Sequence, residues 1–149
     1  MKKVLKQLED TLDVIRKLKD VHKSLLKEPI SEGKWSIREI IGHLYYWDKY
    51  NLEKMVPEMT NGANLPEFPD HDQYNEEAIS YLRDSSVEAI LDAFLETREE
   101  LIKSISKVGE DVRFTIGNGK RQFSSESFVK IFVKHDIHHL QQIKEKLKN

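Results

Sequence analysis

The sequence predicts an all-α protein, a four-helix bundle with long crossover connections and one short extra helix. Glycine and proline, the residues that interrupt helices, number only 6 and 4 in 149 residues, and they cluster between long segments. Within those segments apolar residues recur every three or four positions, which is the spacing of one face of an α-helix. A chain of this length is expected to form a single domain over residues 1–149.

The first helix is predicted over residues 2–27, with Lys and Glu on the side opposite its apolar face. Pro29 and Gly33 follow, and both residue types end helices. The apolar residues that set the spacing are Val4, Leu5, Leu8, Leu12, Ile15, Leu18 and Leu25.

The second helix is predicted from Ser36 to about Val56. Ser36 and Glu39 have the spacing of a capping box, in which the serine hydroxyl and the glutamate carboxylate accept hydrogen bonds from free N–H groups of the first turn. His43 and Trp47 lie one turn apart at the edge of the apolar stripe. An edge position suits a metal ligand, because such a residue faces both the bundle and an opening.

Residues 57–72 hold three of the four prolines and are predicted to be an irregular loop, which is either functional, as a lid or a pocket wall, or a plain surface connection. A short helix is predicted over residues 72–83. The segment Ser85–Glu88 offers a second capping box, which opens a helix to about Val108.

Residues 109–123 combine a GNG turn with alternating apolar residues, a pattern that fits a small hairpin or an extended connection. The last helix is predicted to begin at Ser124 or Ser125 and to continue to Lys148.

Charge and composition exclude several classes of function. With 24 basic and 26 acidic residues the net charge is -2, so nucleic acid is not an expected partner. Cysteine is absent, which removes disulfides, thiolate nucleophiles and cysteine-based zinc sites. The N-terminus is charged throughout and no segment reaches the ~18 apolar residues of a membrane span. The chain is therefore expected to be soluble and cytoplasmic, without a membrane partner.

Histidines are the residues of this chain most able to form a functional site. His135 and His139 are four residues apart, so they lie about 40° apart around the helix axis and share one face. His138 is displaced from that pair by roughly 60–100° and is interpreted as a residue of the rim. With His43 from another helix, three neutral imidazoles could hold a divalent ion and leave one coordination position open. The plainer alternative is that histidines near a helix C-terminus only complement the helix dipole.

Three segments resemble the DinB-like, YfiT-like superfamily of small metal-binding four-helix bundles. They are KWSIREIIGHLYYWDKY, HDQYNEEAISYLRDSSVEAI and FVKHDIHHLQQIKEKL, and their order spans nearly the whole chain. The resemblance implies a bundle with two long crossovers, zinc or nickel as the metal, and a homodimer. Carried over residue by residue, it implies His43, His135 and His139 as the metal ligands. The Asn of the family's Asp-x-x-Tyr/Phe-Asn pattern matches Asn75, which either lines the pocket or caps the short helix.

Membership of such a family leaves the reaction open, and three functions compete. The first is a metal-dependent transferase that joins a low-molecular-weight thiol, such as bacillithiol, to an electrophilic small molecule, since a bound ion lowers the pKa of a thiol. The second is a metal-dependent hydrolase, which also needs a carboxylate base. Helical rotation does not place any of the candidate bases beside the metal; they are Asp48, Asp136 and Glu39.

The third is a metal-binding stress or interaction protein without turnover. A protein of this kind is expected to have a closed metal site, with Gln142 or His138 in the fourth coordination position. For the two enzymatic functions a small-molecule substrate is the expected partner.

Overall fold

The computed structural model describes residues 1–148 and contains six α-helices and one two-stranded sheet. The helices are α1 (Lys2–Lys17), α2 (Lys23–Lys27), α3 (Ile37–Tyr50), α4 (His71–Leu82), α5 (Val87–Ser106) and α6 (Ser125–Lys148). A 3₁₀ turn covers Leu18–Asp20, a π-helical turn covers Asn51–Met55 and a second 3₁₀ turn covers Val56–Glu58. The strands are β1 (Asn64–Leu65) and β2 (Thr115–Ile116), and they pair in parallel.

The four long helices α1, α3, α5 and α6 form the bundle, with α3 packed on α5, α5 on α1, α1 on α6 and α6 on α3. Helices that follow one another in the chain are therefore not always neighbours. The connections from α1 to α3 and from α5 to α6 cross between opposite corners of the bundle. The predicted fold class, a four-helix bundle with long crossovers, is confirmed.

The core consists of two apolar clusters. One contains the end of α1 with the starts of α3 and α5, and the other contains the start of α1 with the end of α5 and the start of α6. The helices α1 and α6 therefore run in one direction, and α3 and α5 in the other. The N-terminal amine of Met1 agrees with this arrangement, because it lies 2.6 Å from Oε1 of Glu126 in the first turn of α6.

A buried layer of charged and polar side chains lies between the two clusters. Its members come from all four long helices and are Thr11, Asp48, Arg98 and Asp136, each no more than 2% exposed. Burying charges is costly unless they are paired, and here they pair with one another, as described below.

The prediction of one helix over residues 2–27 was wrong. The chain leaves α1 through a 3₁₀ turn, Val21 is extended (φ -89°, ψ 140°), and α2 then starts with His22 as its N-cap. The Nδ1 atom of His22 accepts a hydrogen bond from the backbone N–H of Ser24. In a continuous helix Leu18 and Leu26 would point about 80° apart, whereas the break allows both to be buried in the same cluster.

The second predicted capping box, Ser85–Glu88, was wrong because the cap lies one residue later, at Ser86. Ser86 does cap α5, but its hydroxyl accepts from the backbone N–H of Ala89, so the third helical position holds no carboxylate. Glu88 instead forms an exposed ion pair with Lys23. The first box is confirmed, since Ser36 and Glu39 make both of its hydrogen bonds.

The segments predicted as irregular at 57–72 and as a hairpin or extended connection at 109–123 pack on each other. Asn64 and Leu65 pair in parallel with Thr115 and Ile116, while Phe114 and Phe123 bridge in antiparallel fashion. The antiparallel bridge lies within the segment whose alternating apolar residues fitted a small hairpin, whereas the parallel pairing joins segments far apart in the chain and involves too few residues to leave a pattern in the sequence.

Helix α4 lies close against α3. Gly42 permits this approach, because a Cβ atom at that position would come within 2.8 Å of Cδ1 of Leu82. No helix within residues 1–148 combines the length and the apolar character that a membrane crossing requires.

Candidate metal centre

Three imidazoles from two helices meet at the side of the bundle. His43 projects from α3, and His135 and His139 project from one face of α6. The Nε2 atom of His135 lies 3.0 Å from Nε2 of His43 and 3.2 Å from Nε2 of His139. One ligand atom from each ring lies within 4.8 Å of those of the other two. The structure thus brings together all three predicted site residues.

Hydrogen bonds on the outer side of two rings fix their orientation. The Nδ1 atom of His43 lies 2.9 Å from Oδ1 of Asn75, and Nδ1 of His139 lies 2.7 Å from Oε1 of Gln142. Amide oxygens only accept, so in both rings Nδ1 carries the proton and Nε2 presents a lone pair toward the centre of the cluster.

Asn75 has a clear structural role that the sequence did not assign. It lies inside α4, whose N-cap is Asp70, so it does not cap the helix. Its Oδ1 atom also accepts a hydrogen bond from Nε1 of Trp47, at 3.1 Å. One amide oxygen therefore holds both His43 and Trp47 in place.

The environment of the cluster favours neutral rings. Burial, with a further contribution from the neighbouring imidazoles, lowers the pKa of His43 to about 3 and that of His135 to about 4. The pKa of His139 is also lowered, mainly by burial. A neutral imidazole is the form that binds metal, so the rings are ready to do so at neutral pH.

The geometry fits a divalent transition metal. Nitrogen ligands 2.0–2.1 Å from a tetrahedral ion lie about 3.3 Å from each other. The observed separations of 3.0 and 3.2 Å are close to that value. Because His43 and His139 both direct lone pairs inward, a cation between the rings would remove their mutual repulsion. Hydrogen bonds from metal-binding histidines to outer acceptors, as seen here, are the usual arrangement in metal sites.

Neither proposed fourth ligand lies in the cluster. Gln142 uses its Oε1 atom on the outer side of His139. His138 is exposed, and its ring lies edge-on to that of His139 with centroids 5.0 Å apart. Within residues 1–148, the group of converging His or carboxylate ligand atoms has three members, so one coordination position is left for another molecule.

A pocket of about 340 Å³ opens directly beside His43 and His135. Its walls are largely aromatic and include Trp47, Phe68 and Phe132. Phe68 belongs to the segment 57–72, which therefore forms part of the pocket wall. An apolar pocket next to a few converging polar groups is the usual form of a small-molecule site.

The three candidate carboxylate bases are all engaged elsewhere. The Arg98 guanidinium binds Asp48 through Nε and Nη2, at 2.7 and 3.1 Å, and Asp136 through Nη1 and Nη2, at 2.7 and 3.1 Å. The hydroxyl group of Thr11 also donates a hydrogen bond to Oδ2 of Asp136, at 2.9 Å. Glu39 is held in its capping box.

The charge state of this layer follows from its contacts. Burial acts to lower the pKa of Arg98, but the charges of Asp48 and Asp136 outweigh it and raise the pKa above its ordinary value. Burial raises the pKa of Asp48 to about 6, against the opposing effect of Arg98, so this carboxylate is still ionised at pH 7. The layer is a structural ion network and not a set of free bases.

Comparisons with known proteins agree with this architecture. The sequence model of the DinB superfamily matches residues 6–143. A similar solved structure is that of YfiT from Bacillus subtilis, described as a probable metal-dependent hydrolase with an unusual four-helix bundle topology. It superposes with a TM-score of 0.67 and 19% identity, covering 99% of this chain and 85% of that chain. At that level of identity the similarity shows a shared fold. No curated protein sequence matches the chain.

Proposed function

The chain belongs to the DinB superfamily, and from that premise we propose that it is a metal-dependent thiol S-transferase acting on electrophilic small molecules. The co-substrate in this proposal is a low-molecular-weight thiol such as bacillithiol. One observation carries it: three Nε2 atoms converge beside an apolar pocket that His43 and His135 line, and no further histidine or carboxylate in the described part of the chain joins them.

The proposed ligands are His43, His135 and His139, and the proposed ion is zinc or nickel. When bound, a divalent ion with an open position lowers the pKa of a thiol and so supplies a thiolate at neutral pH. A chain without cysteine has no thiolate of its own, so the sulfur must come from a second molecule.

The side chains of this protein orient the reactants and exclude water. Asn75 and Gln142 hold two of the rings, while Trp47 and Phe132 form an apolar wall for the electrophile. In the transfer, sulfur forms a bond to the electrophilic carbon and the bond from that carbon to the leaving group breaks. The leaving group departs with the electron pair, and the thiol proton goes to solvent.

Hydrolysis is the weaker alternative for this chain. YfiT is described as a probable hydrolase, but a hydrolase of this type is expected to place a carboxylate base beside its attacking water. The three carboxylates considered for that role are committed to Arg98 or to a helix cap. A metal-binding protein without turnover is disfavoured by the absence of a fourth ligand among residues 1–148.

The test combines metal analysis with a conjugation assay. We expect purified protein to bind one equivalent of zinc or nickel, and the loaded protein to join bacillithiol to monochlorobimane with release of chloride, faster than the metal alone. His139→Ala should lose both tight metal binding and conjugation, while its far-ultraviolet circular dichroism remains helical. His22→Ala, which changes an exposed histidine at the N-cap of α2, is the matched control and should retain both.

Three results would overturn parts of the proposal. Stoichiometric metal in His139→Ala would refute the set of ligands. Metal-loaded protein that conjugates no faster than the blank would refute the transferase. Metal-dependent turnover in a screen of esters and amides would instead favour the hydrolase. A homodimer is also proposed, and light scattering on the purified chain tests it.

A further inference from the structure

We propose that the pocket beside the histidines selects acceptors that combine a flat apolar body with one negatively charged group, and that Lys134 determines this preference. The inference rests on the proposed function, since it assigns the chemical class of the molecule that meets the thiol. Aromatic carboxylates and sulfonates are the simplest members of that class.

The walls of the pocket favour a flat apolar body. The ring centroids of Trp47 and Phe68 lie 6.3 Å apart, and those of Phe68 and Phe132 lie 6.0 Å apart. Ile131, which is 39% exposed, adds an aliphatic edge at the opening. Aromatic rings at such distances gain from stacked and edge-to-face contacts, and here they surround a volume of about 340 Å³. That volume is near the lower end of the range for ligand pockets, so the ligand is small.

The rim of the pocket carries one formal charge, which is positive. Lys134, on the exposed side of α6 immediately before His135, lines the opening, and no carboxylate does. Among the residues that the structure describes, Lys134 has no ion-pair partner, although ten such pairs occur in that part of the chain. The other polar residues of the rim, His71 and His138, can donate hydrogen bonds.

These contacts set the orientation of the ligand. In the proposed pose the apolar body lies between the aromatic walls, with its reacting end toward His43 and His135 and its anionic group toward Lys134. The flexible stem of Lys134 allows its ammonium group to follow an anionic substituent at the mouth of the pocket. The electrophilic carbon would then lie at the inner end, next to the thiol.

The experiment compares two ligands of the same shape, 1-naphthoate and the uncharged 1-naphthamide, by calorimetric titration of zinc-loaded protein at low salt. The quantity of interest is the ratio of the two affinities. We expect Lys134→Met, which removes the charge and keeps an unbranched apolar chain, to lower that ratio by about threefold to tenfold. Lys130→Met is the matched control, because Lys130 is exposed one turn earlier on α6 and does not line this pocket, and it should leave the ratio unchanged.

A direct bond between the carboxylate and zinc would place the negative charge away from Lys134, and the ratio would then be the same in the parent protein and in Lys134→Met, which counts against the inference. An unchanged ratio in Lys134→Met, or no binding of either ligand at millimolar concentration, would overturn the inference. The outcome is independent of the transferase assay. If bimane conjugation fails but the charge preference is lost in Lys134→Met as expected, the proposed function alone is refuted. If conjugation succeeds but the ratio of affinities does not change in Lys134→Met, the inference alone is refuted.

Discussion

Replacing Arg98 by methionine is the most informative change to the interior of the bundle. Arg98 is 1% exposed, and its five N–H groups all have acceptors: two carboxylates and the backbone carbonyl of Leu8. Methionine occupies a similar space but carries no charge. The variant would leave Asp48 and Asp136 buried, close together and without a counter-ion.

The expected cost is large on the scale of a small domain. Removing one partner of a buried ion pair destabilises by about 3–5 kcal/mol, and here one cation serves two carboxylates. Four charge-assisted hydrogen bonds of 2.7–3.1 Å are lost together. The whole free energy of unfolding of a domain this size is about 5–15 kcal/mol. We therefore expect Arg98→Met to lose at least 3 kcal/mol of it.

Urea unfolding at pH 7 of protein freed of metal by a chelator, followed by circular dichroism, measures this loss in the free energy of unfolding. Arg16→Met is the matched control, because the Arg16 side chain is 47% exposed and pairs with Asp13 and Glu99 at the surface. Such pairs are worth about 0–1 kcal/mol. In a third variant Asp48 and Asp136 also become leucine, which removes the unpaired charges and should restore most of the lost stability.

Two results would refute this reasoning. If Arg98→Met unfolds within about 1 kcal/mol of the parent, the pairing is not what stabilises the layer. If the triple variant is as unstable as Arg98→Met, the loss comes from the shape of the arginine and not from uncompensated charge.

Two further predictions concern the histidines. Asn75→Ala removes the acceptor that orients His43, so the metal affinity measured by chelator competition should fall about 10-fold to 100-fold. Asn75→Asp keeps an acceptor oxygen and should restore the affinity. Equal affinities in the parent protein and both variants would contradict the role of the amide oxygen. Without metal, the lowered pKa values of His43, His135 and His139 mean that the unfolded chain binds more protons below pH 6.5. The free energy of unfolding should therefore fall as the pH drops from about 6.5 toward 4, by up to about 1.4 kcal/mol per histidine per pH unit. Asp48 acts in the opposite direction, because its raised pKa makes the folded chain bind its proton first, but it is one group against three. A free energy of unfolding that is constant or rises over this range would contradict the burial of neutral rings.

Much of the architecture was predictable because it depends on local patterns. The helices α3, α5 and α6 each combine a clear apolar face with a capping residue near their start. The bounds of α5 and α6 lie within a few residues of those predicted, whereas α3 ends as an α-helix at Tyr50 and the chain continues through a π-helical and a 3₁₀ turn to Glu58, where an α-helix to about Val56 was predicted. The shared face of His135 and His139 follows from helix geometry alone. The break after α1 was missed, because the residues on both sides of it have helical spacing and only burial in the folded core distinguishes them.

The ion network was missed because its members are far apart in the sequence. Arg98 lies 50 residues from Asp48 and 38 from Asp136 along the chain. A signal was nevertheless present. Arg98 continues the apolar stripe of α5 at the spacing of Phe94 and Leu101, and a charged residue on such a stripe predicts a buried partner.

The separation of the histidines along the chain has a consequence for when the site forms. His43 lies in the first third of the sequence, and His135 and His139 lie near its end. A chain still emerging from the ribosome offers one of the three rings, in contrast to sites whose ligands cluster within a short loop. Ion capture would then follow the docking of the final helix and would stabilise the finished protein in proportion to the logarithm of the free ion concentration.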